Sequence, residues 1–254
     1  MTLVWKGIYN DATNVACKIF FIETLMEREI EVYKALNATT DPTIEEHGIP
    51  RIYYHGTILD DSYHAVAMTL FDGTLYDRYM AQNQNLSHSN ILMIFKQMVE
   101  RLQYLNSKNV VHNDITPYSI FFRGAKVFLS DFDLASLNDR WSISGTLLFA
   151  SRKYFLNLKR TAKDDLESLL YTIWFIANVP MARSIQEGEP IGFILTEFNE
   201  EEAKSKMLEK CEHFKNEYVY EAMKPICADV VSSESSVPNY QQIIDALNVA
   251  IKQL

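Results

Sequence analysis

The apolar pattern of this chain changes character after Gly73, and that change limits its folds more than any other feature. Before it, apolar residues fall in short runs rich in β-branched and aromatic types. Leu3 to Tyr9 and Val15 to Phe21 are two such runs, parted by the turn-rich Asn10-Asp11-Ala12-Thr13-Asn14, which predicts a hairpin. Arg51 to Ile58 and Tyr63 to Leu70 form a second pair around Asp60-Asp61. Between the pairs, Ile22, Leu25, Met26, Ile30, Tyr33 and Leu36 recur near helical spacing. That predicts a helix over Glu23 to Leu36, then a loop from Asp41 to Pro50. After Gly73, helices dominate. Asn90 to Asn106 places Ile91, Ile94, Phe95, Met98, Leu102 and Leu105 on one face, with Ser87 or Ser89 as its cap. Ala162 to Asn178 is a strongly apolar helix, Phe198 to Lys215 a charged amphipathic one, and Tyr218 to Val231 and Asn239 to Leu254 are further helices. Val110 to Phe122 reads as irregular, followed by a short strand at Val127 to Leu129. The expected fold class is α+β. A small strand-rich lobe over about residues 1–70 and a larger helical lobe over about 74–254 meet near Phe71 to Thr74 as a single domain.

Composition narrows the function. Lys and Arg number 24 against 33 Asp and Glu, a formal charge of −9. Nucleic acid and anionic membrane are poor main partners for such a surface, because neutralising phosphates takes a basic face. Cys17, Cys211 and Cys227 are too few and too scattered for a disulfide framework or a cysteine zinc site. They fit a reducing compartment, so the expected location is cytoplasmic or nuclear. The start MTLVWKGIYN has no signal-peptide pattern. The longest apolar stretch, roughly Leu169 to Val179, is too short to span a bilayer.

Four charged residues sit where charge is costly. Lys18 ends the apolar run Val15-Ala16-Cys17-Lys18, and Glu29 falls on the apolar stripe of the following helix. A carboxylate on a buried face needs a partner, and Lys18 is the nearest candidate in sequence. Asp114 follows Val110-Val111-His112, and Asp131 follows Val127-Phe128-Leu129. Two carboxylates on loops between short apolar strands suit a base and a metal ligand. Taken singly, each has an ordinary reading: a lysine that snorkels, a solvated glutamate, an aspartate that caps a turn.

Their order and surroundings resemble a protein kinase. Val15-Ala16-Cys17-Lys18 looks like the V-A-I-K strand, His112 to Ser119 like the H-R-D-L-K-P-x-N catalytic loop, and Asp131-Phe132-Asp133 like D-F-G. Gly145-Thr146 with Phe149-Ala150-Ser151, then Asp164-Asp165-Leu166-Glu167-Ser168, is similar to the casein kinase one and vaccinia-related kinase group. Gly48-Ile49-Pro50 and Asn106 to Asn109 match the same group. The likeness runs from about Val4 to the end of the chain.

The resemblance implies a bilobal kinase-like fold using ATP and Mg²⁺, with protein substrates phosphorylated on Ser or Thr. Lys18 would contact the phosphates, held by Glu29. Asp131 would ligate Mg²⁺, with Ser119 at the second metal-ligand position. Asp114 would be the catalytic base. Met68 would lie at the back of the nucleotide pocket, and Thr69, Leu70 and Phe71 would form the hinge that bonds adenine. His112, Phe132 and Tyr33 would make a packed column, and Asp165 would brace the catalytic loop.

The departures from the family pattern bear on activity. Thr2 falls where the last glycine of the phosphate loop belongs, and the first strand and Gly-rich loop are missing. Ser119 replaces the catalytic-loop Asn, Thr116 its Lys, Asn113 the Arg, and Asp133 the Gly of D-F-G. The expectation is therefore a domain that binds ATP–Mg²⁺ with weak phosphotransfer. The alternative is an inactive pseudokinase that binds a partner protein.

Overall fold

A computed structural model describes residues 2–59, 62–137, 145–146, 149–155, 158–177 and 237–254, with Met223, Ile226, Cys227 and Val230. The first hairpin forms as the two apolar runs and the turn between them predict, β1 (Thr2–Tyr9) against β2 (Thr13–Phe20). Asn10 and Asp11 turn it at φ of 48° and 57°, a left-handed backbone that short polar side chains adopt cheaply. The second pair is β3 (Ile52–Ile58) and β4 (Tyr63–Thr69). All four strands make one antiparallel sheet in the order β1-β2-β4-β3. Helix α1 (Glu23–Ala35) buries Met26, Glu29, Ile30, Val32 and Tyr33. The expected loop from Asp41 to Pro50 contains one 3₁₀ turn, Ile44–His47.

The helical part is built around α3 (His88–Ser107) and α5 (Ala162–Ala177), with the single turn α4 (Arg152–Phe155) ahead of α5. Of the two candidate caps Ser87 is used, accepting from Asn90 N–H at 3.3 Å. Helix α5 is buried from Ala162 to Ile176, so its charged residues have no solvent to face and must find partners inside. The C-terminal helix Tyr240–Lys252 turns Tyr240, Ile243, Ile244 and Leu247 inward.

Five short elements depart from the sequence reading. Val110 to Phe122 is not wholly irregular: it holds β6 (Val110–Val111) and most of β7 (Ile120–Arg123), which pairs with β8 (Lys126–Leu129). Strand β6 pairs with β9 (Ser136–Leu137). After β5 (Gly73–Thr74), α2 (Leu75–Ala81) starts on a capping box in which Thr74 and Asp77 satisfy each other's backbone N–H. Seven residues carry too few turns for periodicity to announce that helix. The helix expected at Phe198 to Lys215 lies outside the described residues. So does most of Tyr218 to Val231, of which Met223, Ile226, Cys227 and Val230 are buried.

Candidate active site

Lys18 points into the space between β2 and α1. Its Nζ lies 2.8 Å from Glu29 Oε2 and 2.7 Å from Asp131 Oδ1. Three separate segments thus deliver one ammonium and two carboxylates to a single point. Burial works against the Lys18 charge, but Glu29 and then Asp131 outweigh it and raise its pKa, so it stays protonated. Glu29 is fully buried, and its Oε1 has no hydrogen-bond partner. Burial pushes the Glu29 carboxyl up to about 7 in spite of Lys18. Asp131 is different: its side chain is 49% exposed. Its backbone sits at φ 70°, left-handed for a residue with a Cβ, a cost of about 1–3 kcal/mol that the surroundings must hold. Burial and then the Asp131 charge raise the Asp133 carboxyl.

The loop from His112 to Ser119 is fixed from below. Asp165, near the start of α5, accepts from the backbone N–H groups of His112 at 2.6 Å and Asn113 at 2.8 Å. Burial raises its carboxyl to about 7, against the pull of those two donors. His112 is fully buried, with Nε2 3.1 Å from Ser130 O and Nδ1 accepting from Asp114 N–H. That assigns the Nε2–H tautomer, and burial holds the ring neutral by lowering its pKa. Phe132 packs between His112, at 4.9 Å between centroids, and Tyr33, at 5.2 Å. The column suggested by the motifs is present.

Glu29 and Asp165 also fix the sign of a pH effect. Each has a folded pKa near 7, above the unfolded carboxylate range, so the folded state holds extra protons between the two values. Their contribution to stability is complete below about pH 4 and is lost as pH rises through 7. The thermal midpoint is expected to be higher at pH 5.5 than at pH 8. Asp165→Asn should flatten that difference, and an unchanged slope in this variant would count against the assignment.

Asp114 is partly exposed, and its Oδ1 accepts from Thr146 N–H at 2.6 Å. The approach needs Gly145. Its φ is 151°, and a Cβ there would stand 2.8 Å from Asn113 O. Arg160 Nη1 donates to that same carbonyl at 2.9 Å. Asn113 itself has φ 69°, and its Nδ2 reaches Val111 O, Leu134 O and Ser136 Oγ at 3.0–3.3 Å.

Comparison with known proteins agrees with this layout. The family model described as protein kinase domain matches residues 4–177, more than half of the chain. The chain belongs to the protein kinase family. It is similar to a probable casein kinase I homologue of Encephalitozoon cuniculi, at 28% identity over 158 residues. That match covers 57% of this chain and 50% of the relative, so the chain spans about half the length of the curated protein it matches.

In this protein kinase family member the structure brings Lys18, Glu29 and Asp131 together and sets Asp114 on the loop beneath. Ser119 is turned into the loop. Its hydroxyl donates to Asp114 O at 2.9 Å and accepts from Thr116 N–H at 3.0 Å, and the residue is 3% exposed. That hydroxyl has given its proton to the backbone and keeps one lone pair, shielded by the loop. Thr116 is likewise folded in, its Oγ1 accepting from Tyr118 and Ser119 N–H. Of the hinge residues, Met68 is buried. The Thr69 N–H donates to Arg51 O at 3.0 Å and its hydroxyl to Glu45 at 2.6 Å. Asp72 N–H is held by Phe122 O at 2.8 Å. Between these anchors, Leu70 and Phe71 donate no loop-to-loop backbone bond among the described residues. The Phe71 ring rests on Phe121 and Phe128.

Two supports were not read from the sequence. Glu45 ties the hinge Thr69 to Arg123 at the end of β7. Ser151 Oγ donates to Asp164 at 2.8 Å, and Arg152 pairs with buried Glu167 at 3.0 Å. Charged residues inside the apolar run of α5 were the available signal, because each needed a buried partner.

Proposed function

We propose that this protein kinase family member binds ATP with Mg²⁺ and transfers phosphate weakly to Ser or Thr hydroxyls of proteins. The observation that carries the proposal is buried Lys18 held between Glu29 and Asp131. A lysine taken out of water and gripped by two carboxylates is costly as structure alone. It suits a site for a polyanion accompanied by a cation. Lys18 would meet the phosphates, Asp131 would hold the metal through the oxygen that Lys18 leaves open, and Leu70 and Phe71 would meet the base. When bound, Mg²⁺ neutralises phosphate charge. Asp114 has one oxygen engaged by Thr146 N–H, and the other would orient the substrate hydroxyl and take its proton. Arg160 and Asp165 hold the main chain beside it.

Weakness follows from what the loop lacks. Each missing electrostatic contact of this type costs roughly 10²–10³ in rate. Thr116 and Ser119 face inward, so neither replaces the charge or ligand that the family pattern supplies. The same observation favours the second reading, a pseudokinase that binds a partner protein.

Thermal-shift titration separates the two. We expect saturable stabilisation by ATP with Mg²⁺ at millimolar to high-micromolar concentration, about 4–6 kcal/mol of binding. The Mg²⁺ dependence should disappear in Asp131→Ala. No shift at several millimolar ATP, with the protein folded, would leave the scaffold reading.

A further inference from the structure

Beside the catalytic loop, two tyrosines stand together in a place that the nucleotide chemistry does not use. Tyr118 lies four residues after Asp114, and Tyr76 lies in the first turn of α2. Their ring centroids are 4.6 Å apart with 31° between planes. Tyr76 N–H donates to Pro117 O at 3.1 Å, which fixes the helix to the loop. Tyr118 is 53% exposed, an unusual position for a large ring inside a loop whose other residues from Ile115 to Ser119 are buried.

The surroundings are acidic. Exposed Asp77 follows Tyr76, and its charge reaches Tyr118: after burial and Tyr76, it raises that phenol. The nearest cation on α2, Arg78, is turned away, over the Phe122 ring at 3.5 Å and bonded to Gly124 O at 2.8 Å. Among the described residues, no cation stands over either tyrosine. A rigid pair of π-faces beside a carboxylate, on a chain of net charge −9, is complementary to a guanidinium.

We propose that Tyr76 and Tyr118, with Asp77, form a substrate subsite that takes an arginine side chain of a peptide lying close in sequence to the acceptor hydroxyl. The assignment rests on the kinase reading above, since it places the peptide by reference to Asp114. The planar cation would lie on the Tyr118 face, and Asp77 would add charge.

The test uses fluorescein-labelled peptides of alanine and glycine around one serine, with arginine placed in turn at each of four positions on either side. Anisotropy with the full chain reads binding without requiring turnover. At one offset or two adjacent offsets, the arginine peptide should bind about three- to tenfold more tightly than its citrulline counterpart, which keeps the shape and loses the charge. Tyr118→Phe should keep the preference, Tyr118→Ala should abolish it, and Asp77→Asn should reduce it. The thermal midpoint of Tyr118→Ala should stay near native, because the ring is exposed. Equal binding of arginine and citrulline peptides at every offset overturns the subsite. So do a preference that survives Tyr118→Ala, a preference for aromatic or proline residues instead, and no peptide binding at all. Failure of the kinase reading looks different: the arginine preference persists in binding, yet radiolabelled ATP gives no serine phosphorylation sensitive to Asp114→Asn.

Discussion

Asp165→Ala is expected to lose about 3–5 kcal/mol of folding stability in urea titration, a large part of what a domain of this size holds. The carboxylate is 4% exposed and accepts from two consecutive backbone N–H groups, those of His112 and Asn113. Truncation strands both donors away from water, and each orphan costs about 1–3 kcal/mol. The loss also spreads. His112 carries the Ser130 and Phe132 contacts, and Asn113 carries the links to Leu134 and Ser136. A simple helix cap gives about 1 kcal/mol when removed. A measured loss that small would mean that water or a neighbour rescues the donors.

The second large effect concerns the chemistry. Asp114→Asn should lower phosphotransfer to a generic protein substrate by about 10²–10⁴, with thermal stability within about 1 kcal/mol of native. The variant keeps an oxygen for Thr146 N–H and loses only the ability to take a proton. Ser119→Asn should move the rate the other way by about tenfold or more. An amide can keep the bond to Asp114 O while its longer arm carries a carbonyl oxygen outward as a ligand. Radiolabelled ATP measures both variants. Equal rates for native and Asp114→Asn would assign any observed transfer to something other than this loop.

The strands and long helices could be read from the sequence because each repeats its period several times. Helix α3 gives nine buried residues on one stripe, and β2 and β4 pair over six residues within long apolar runs. Strand β6 and helix α2 give two and seven residues, too short for a period to stand out. The Lys18–Glu29 pair was legible because charge on an apolar stripe demands a partner. The fate of Ser119 and Thr116 was not. A hydroxyl is chemically able to face a cation or its own backbone, and only the turn from Thr116 to Ser119 decides which. The Glu45–Thr69–Arg123 link joins residue types that look like ordinary surface in sequence, so burial at the hinge had to be seen.

The left-handed backbone at Asn113 limits how freely the loop's letters can be exchanged. Asparagine takes φ 69° at little strain, and its two amide hydrogens are shared among three acceptors on neighbouring segments. Arginine, the family residue at this position, would strain that backbone more and has no amide placed to reach all three. Its long side chain would start where the amide now lies, against Val111, Leu134 and Ser136. The residue is thus held at both ends by different segments, its amide by Val111, Leu134 and Ser136 and its carbonyl by Arg160, so an exchange of the side chain alone unties β6 from β9 while the main chain stays pinned.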